Sequence, residues 1–130
     1  MRWKRVLAAY PAWSRSQRGG YYGFPTMFQP DQLPGVTRDQ LLTALQENGV
    51  PAAGSGYGLL HELPYFAEGF DIYGGNRGPM GGDYPGYKPG DFPGAGEMHA
   101  KLVFLPMLTD PVDGAAEEIL RRMTQAVRSL

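Results

Sequence analysis

The stretch that decides the fold is "GVTRDQLLTALQENGV", residues 35–50, because it carries both a start and a stop signal for a helix. Thr37 is placed to cap the first turn, and Gln40 three residues later completes a capping box. The pair Asn48-Gly49 supplies the left-handed stop. The residues predicted to form the buried side are Leu41, Leu42, Ala44 and Leu45. The pattern predicts an amphipathic helix packed on a core, with Val50 opening a short extended segment.

The sequence predicts two apolar strands, one on each side of this helix. In "GGYYGFPTMF" (19–28), alternation places Tyr22, Phe24, Thr26 and Phe28 on one face. Pro25 has no N–H to donate, so we expect that strand to lie at an edge or to be bulged there. The second segment, "HAKLVFLPML" (99–108), is a short apolar run and predicts a central strand closed by Pro106.

Helices are predicted at both ends of the chain. The spacing of Trp3, Val6, Leu7 and Tyr10 predicts a short docking helix that ends at Pro11. Its off-stripe residues Arg2, Lys4 and Arg5 form either a solvated face or a basic binding patch. Residues 109–130 predict a last helix with early acidic and late basic residues, as the helix dipole favours. Its expected buried stripe is Ala116, Ile119, Leu120, Met123, Val127 and Leu130.

These elements predict an α+β fold in a single domain over 1–130, with a small, mostly antiparallel sheet and helices packed on one face. The segment 67–97 is rich in Gly, Pro and Tyr and shows no regular period. A structureless stretch of that length in a small domain is typically functional, partner-binding or disordered. We expect an extended arm over residues 70–96, held at intervals by its rings, with no helix longer than one turn.

Composition excludes several classes of site. The chain has no cysteine, which removes disulfides and thiolate chemistry, and its net charge of −1 gives no general attraction to nucleic acid. No apolar run is long enough to span a bilayer. His61 and His99 are far apart in sequence, and no metal-ligand spacing or nucleophile elbow is present. We therefore expect no metal, no nucleic acid partner, no membrane and a cytoplasmic location.

The order of several motifs resembles the C-terminal part of the DegT/DnrJ/StrS family of pyridoxal-phosphate-dependent aminotransferases, which act on keto sugars and cyclitols. Gly35-Val36-Thr37-Arg38-Asp39 resembles the "G-v-s-R-d" segment that opens a helix after a strand. Glu47 to Pro51 resembles "e-G-(I/V)-P" with one intervening Asn, and Tyr57 to His61 matches "Y-x-x-L-H". Residues 105–126 match the terminal "LPM…T…V…I…A" pattern. The resemblance covers nearly the whole chain.

The resemblance implies the small domain of an aspartate-aminotransferase-like (fold-type I) enzyme, whose cofactor is held by a large N-terminal domain. Transamination needs an imine-forming lysine and an anion beside the pyridine nitrogen. None of Lys4, Lys88 and Lys101 follows the family's serine-to-lysine spacing. We expect no catalytic or cofactor-binding residue in this chain and no activity alone. The implied partner is a large pyridoxal-phosphate domain or chain, within a homo-oligomer.

The resemblance also implies that "GYGLLHELPYF" lies near the active-site mouth. The substrate-binding candidates are Tyr57, His61 and Arg77: His61 would donate a hydrogen bond to a sugar hydroxyl or phosphate, with Tyr57 beside it, and Arg77 would contact an anion. The alternative is an ordinary loop with a partly buried histidine and apolar anchors. The alternative function is a non-catalytic binding or assembly module that kept the small-domain fold.

Overall fold

The computed structural model describes residues 7–9 (backbone), 23–69, 84–108 and 112–130. Contacts divide the chain into two compact units, the first within Met1–Ser55 and Ala100–Leu130 and the second within Gly56–His99. The prediction of a single domain over 1–130 stays a prediction.

The first unit contains an antiparallel sheet with the strand order β1-β2-β3, formed by β1 (Leu7–Ala9), β2 (Phe24–Phe28) and β3 (Leu102–Leu105). Thr26 pairs with Val103, and both are buried, as is Phe28. The Thr26 hydroxyl donates to the Val103 carbonyl oxygen at 2.8 Å, so its burial leaves no unmet donor. The predicted alternation along β2 is confirmed for the described residues; Tyr22 lies outside them.

Two predicted strand positions are wrong. β2 is the middle strand of the three rather than an edge strand. Pro25 is tolerated there because β1 pairs with β2 only from Thr26 onward, which leaves Pro25 at the end of that ladder. β3 is a lateral strand rather than a central one. Its outer side carries an isolated bridge in which Phe104 and Ala53 exchange two backbone hydrogen bonds.

The central helix prediction is confirmed. Helix α1 spans Arg38–Glu47, and both halves of the Thr37–Gln40 capping box are present. The Thr37 N–H donates to Gln40 Oε1 at 2.8 Å, and the Gln40 N–H donates to the Thr37 hydroxyl at 3.2 Å. Gly49 ends the helix with φ +71°. Leu41, Ala44 and Leu45 are buried, as the spacing predicts, and half-buried Leu42 packs on the same core.

The remaining elements of the described residues are helices α2 (Pro64–Ala67), α3 (Pro93–Lys101) and α4 (Ala115–Arg128) and two short 3-10 turns, Pro30–Gln32 and Leu60–Glu62. Helices α1 and α4 pack against each other. Their buried residues form one core with three buried residues of the sheet, Phe28, Val103 and Leu105. The prediction of an α+β fold with a small antiparallel sheet is confirmed, and α1 and α4 cover one face of that sheet.

The buried stripe of α4 is narrower than predicted. Met123 and Val127 are buried and Ile119 packs against the core, but Ala116, Leu120 and Leu130 are exposed. Ala126, which the prediction omitted, is fully buried. A helix that packs along one neighbour buries a narrow stripe, and a small residue in it allows close approach.

The predicted N-terminal helix is wrong where the structure describes it, because Leu7–Ala9 form β1 opposite Thr26–Phe28. Two turns of apolar spacing are too short to hold a helix against the competing hydrogen bonds of a sheet edge. Trp3, Val6 and Tyr10 lie outside the described residues.

The expected helix-free arm is wrong at its end. Helix α3 begins at Pro93 and continues to Lys101, so His99 and Lys101 are helical and the strand starts only at Leu102. Proline is well tolerated in the first turn because its missing N–H would be unpaired there anyway. The run Ala95, Glu97 and Met98 then favours helix despite Gly94 and Gly96.

Candidate functional site

His61 lies on a short 3-10 turn, Leu60–Glu62, that is followed directly by α2. The Glu62 N–H donates to the Leu59 carbonyl at 2.9 Å, and the Leu63 N–H donates to the Leu60 carbonyl at 3.2 Å. Pro64 opens α2, where its fixed φ suits a first helical position. Two consecutive short turns therefore fix the backbone on both sides of the histidine.

The His61 side chain is buried, with 8% of its surface exposed. Its ring meets the Phe92 ring in an edge-to-face contact, with centroids 4.8 Å apart and planes at 61°. Within the described residues its Nε2 has no hydrogen-bond partner, although less than 1 Å² of that atom is exposed. Glu62 Oε1 lies 3.6 Å from Nε2, which is too far for a hydrogen bond. A buried polar atom left unpaired in this way requires an explanation.

Phe92 and His61 belong to a set of aromatic side chains that we call the ring row: Tyr84, Tyr87, Phe92 and His61. Tyr87 contacts Phe92 at 5.4 Å and Tyr84 at 6.1 Å, both edge-to-face. The Tyr84 hydroxyl donates to the Phe66 carbonyl oxygen at 2.7 Å, which ties the far end of the row to α2. Each edge-to-face pair contributes about 0.5–1.5 kcal/mol beyond area burial.

Backbone hydrogen bonds hold the Phe92 end of the row. The N–H groups of Ala95 and Gly96 both donate to the Phe92 carbonyl, so Phe92 is the residue that directly precedes α3 and accepts its first hydrogen bonds. Just before it, the Asp91 carboxylate accepts from the Lys88 N–H at 2.8 Å, closing a turn that contains Gly90 at φ +90°. The start of a helix and a tight turn thus position the ring that contacts His61.

Gly86, which lies between Tyr84 and Tyr87 in the chain, allows the ring row to approach the end of α2. Its φ is +69°, and a Cβ at this position would overlap the Ala67 carbonyl oxygen. Only a residue without a side chain allows the 84–92 segment to lie this close to the end of α2.

The environment of Tyr84 keeps it a hydrogen-bond donor. Partial removal from water raises the pKa of Tyr84 above its ordinary value, and the neighbouring Tyr87 raises it further. The shift moves ionisation further from physiological pH, where the neutral hydroxyl donates to the Phe66 carbonyl oxygen.

The structure places two of the three predicted substrate-binding residues. His61 is buried, whereas Tyr57 is 80% exposed, and the Tyr57 backbone carbonyl lies 2.9 Å from His99 Nε2. Arg77 lies outside the described residues. The two histidines thus differ: the ring of His99 binds a backbone oxygen, and the Nε2 of His61 lacks such a partner within the described residues.

Sequence reasoning missed Glu62 and Phe92 as neighbours of His61. Glu62 was detectable in principle, because it is adjacent to His61 in the chain. Phe92 carries no such local signal, because its contact with His61 joins two segments that are distant in sequence.

In the residues that the structure describes, no three His, Asp or Glu side chains are grouped to hold a metal ion. No helix in the same residues is long and apolar enough to cross a membrane. Comparisons with protein-family models, with curated proteins and with solved structures found no match.

Proposed function

We propose that this chain is the C-terminal small domain of a DegT/DnrJ/StrS-type aminotransferase acting on keto sugars or cyclitols. The Schiff-base lysine would be supplied by a large pyridoxal-phosphate domain, as another part of a longer protein or as a partner chain. The observation that carries the proposal is His61: the histidine of the "Y-x-x-L-H" element is buried, and its Nε2 has no hydrogen-bond partner within the described residues. A ring nitrogen whose hydrogen bond is unmet suits a group that hydrogen-bonds substrate, as donor or as acceptor according to its tautomer.

The order of elements supports the same proposal. A strand is followed by a helix that opens at Gly35 to Asp39 and ends at a glycine with positive φ. The His61 turn, strand β3 and helix α4 then follow in the order of the family motifs. The proposed assembly is a cytoplasmic homo-oligomer.

The described lysines do not fit a Schiff-base site. Lys88 is exposed in the turn closed by Asp91, where water would hydrolyse an imine. Lys101 is the last residue of α3. We therefore assign no cofactor-binding or catalytic role to this chain and propose that it contributes substrate contacts only.

The test is complementation. The chain is mixed with the separately expressed large domain of a family aminotransferase, pyridoxal phosphate, an amino donor and a nucleotide-linked keto sugar. We expect amino transfer from the mixture and from neither component alone, with a loss of at least tenfold in the His61→Ala mixture. Borohydride should trap the cofactor on the large domain and not on this chain. Trapping on Lys88 or Lys101, or full activity with His61→Ala, would contradict the proposal.

A second function, a non-catalytic binding module, is favoured by the exposed apolar side chains before and within α2. Tyr57, Leu60 and Tyr65 are 80%, 63% and 66% exposed. Exposed apolar side chains grouped in one segment are typical of interaction surfaces. This alternative predicts association with a large domain that is weakened by Leu60→Ser and Tyr65→Ser, without amino transfer.

A further inference from the structure

Asn48 and Gly49 form the one Asn-Gly pair of the sequence, and they lie where α1 ends. A glycine after asparagine favours attack of its backbone nitrogen on the asparagine side chain, because no side chain shields that nitrogen. Gly49 is exposed and Asn48 is half-buried, so water can reach the pair. The pair is therefore a candidate for covalent self-modification by deamidation.

The reaction is a ring closure followed by hydrolysis. The Gly49 nitrogen loses its proton to water and attacks Cγ of Asn48, and Nδ2 leaves as ammonia when the new C–N bond has formed. Water then adds to one of the two carbonyl carbons of the resulting cyclic imide and breaks the bond from that carbon to nitrogen. The net change converts asparagine and water into aspartate or isoaspartate and ammonia, with no oxidant or cofactor.

The native backbone holds the reacting atoms in the wrong arrangement. In the cyclic imide, the Gly49 nitrogen must lie on the same side of the Asn48 Cα–C bond as Cβ. At the observed ψ of 14° it nearly eclipses the Asn48 nitrogen instead, and Cβ lies about 120° away around that bond. The side chain is also occupied, because Nδ2 donates to the Ala44 carbonyl oxygen at 2.8 Å. Ring closure therefore requires a large rotation about this bond.

Backbone hydrogen bonds at the end of α1 oppose that rotation. The Gly49 N–H donates to the Gln46 carbonyl at 2.9 Å, and the Val50 N–H donates to the Leu45 carbonyl at 2.9 Å. The first of these bonds also holds the proton that the Gly49 nitrogen must lose. The Val50 side chain is fully buried, so rotation at Asn48 would withdraw it from the core.

Helix α4 adds a second restraint. Arg122 Nη1 donates to the Gly49 carbonyl oxygen at 3.3 Å, and its Nε donates to Glu118 Oε1 at 2.8 Å. A Cβ on Gly49 would lie 2.5 Å from Nη1, so the glycine that exposes its nitrogen to attack also lets Arg122 approach. Movement of the Gly49 carbonyl must break this link between the two helices.

We propose that Asn48-Gly49 is a deamidation site that the packed ends of α1 and α4 keep unreactive, so that modification marks chains in which this junction has opened. The change is one-way, because the carboxylate of the product cannot donate to the Ala44 carbonyl oxygen as Nδ2 does. The inference is independent of the aminotransferase proposal, and neither cofactor nor large domain enters its test.

The experiment incubates the whole chain at mildly alkaline pH, either folded in buffer or unfolded in guanidinium chloride. Cleavage after Glu47 and Glu62 in mildly acidic buffer then releases residues 48–62, in which Asn48 is the only side-chain amide. Mass spectrometry measures the replacement of its amino group by a hydroxyl. We expect deamidation to be at least roughly tenfold slower in the folded chain, because local opening must precede attack. Equal rates, or an unreactive unfolded chain, would overturn the proposal.

Arg122→Gln should speed deamidation of the folded chain by about two- to tenfold, because it removes the bond to the Gly49 carbonyl. The matched control is Arg121→Gln, which removes the same charge from the same helix. Arg121 bonds to Glu118 and Gln125, both in α4, so this variant should deamidate at close to the unaltered rate. In guanidinium chloride all three chains should react equally. Equal acceleration by the two substitutions in the folded chain would contradict the role assigned to Arg122.

Discussion

Replacing Gly86 by alanine should disturb the His61 site far more than replacing Gly90. Both glycines have positive φ, +69° and +90°, so alanine at either position carries backbone strain of about 1–2 kcal/mol. At Gly90 nothing lies within 4 Å of the added Cβ. At Gly86 the Cβ overlaps the Ala67 carbonyl oxygen, which belongs to the backbone and cannot rotate away.

The structure sets the size of the difference. Relief of the overlap requires the segments to separate by about 1 Å or more. That separation breaks the bond from Tyr84 to the Phe66 carbonyl, worth about 0.5–1.5 kcal/mol. It also loosens the contact of Phe92 with His61, which joins the same two segments and is worth about 0.5–1.5 kcal/mol. These contributions give a local cost of about 2–5 kcal/mol for Gly86→Ala, against about 1–2 kcal/mol for Gly90→Ala.

Native-state hydrogen exchange measures this local cost. The Ala67 and Glu68 amides, which bond to the Leu63 and Pro64 carbonyls, should exchange much faster in Gly86→Ala. The His61 ring signal should also move in that variant, because Phe92 shifts, and it should change little in Gly90→Ala. The Val50 amide, which follows α1 and bonds to the Leu45 carbonyl, serves as the control. Equal exchange rates in the two variants would refute the reasoning.

Three further predictions concern the first unit. Thr37→Ala should lower the free energy of unfolding by about 1 kcal/mol in urea denaturation, and Thr37→Ser, which keeps the bond to Gln40, should restore most of it. Leu45→Ala should cost about 2–5 kcal/mol by thermal and urea unfolding, because the side chain is fully buried. Hydrogen bonds from Arg121, which has the larger effect, and from Arg122 lower the pKa of Glu118 to about 2. The resulting stabilisation is fully present above the ordinary value of 4.5 and is lost as pH falls toward 2. Glu118→Gln should therefore make the urea midpoint less dependent on pH between 4.5 and 2.

Helix α1 could be predicted from the sequence because every contact that defines its ends is local. The capping box joins residues three apart, and Gly49 acts through its own φ. The β2 face was predictable for the same reason, since strand alternation is a property of consecutive residues.

The order of strands and the start of α3 could not be predicted in the same way. Which strand lies in the middle depends on pairing between segments that are far apart in sequence. At α3, Gly94 and Gly96 disfavour helix locally, while Pro93 suits only a first turn. Propensity alone does not decide between these opposing signals.

The candidate site also combines features that are local in sequence with features that depend on distant contacts. "Y-x-x-L-H" identified His61 from the sequence, but its burial depends on Phe92, which belongs to a segment that was expected to be an extended arm. The identity of a hydrogen-bonding residue is local, whereas its exposure and its unpaired state depend on contacts of the folded chain.

The ring row has a consequence for how the site responds to a ligand or partner. Phe92 and Tyr87 remain half exposed, so a molecule lying on them would remove further apolar surface from water, worth about 25 cal/mol per Å². Phe92 contacts His61 and Tyr87 contacts Phe92, so that binding energy also opposes local opening of the 56–69 and 84–99 segments. Binding and ordering are therefore thermodynamically coupled through two side chains. A ligand that protects the Ala67 amide from exchange in the unaltered chain should bind Gly86→Ala more weakly by the cost of restoring the row.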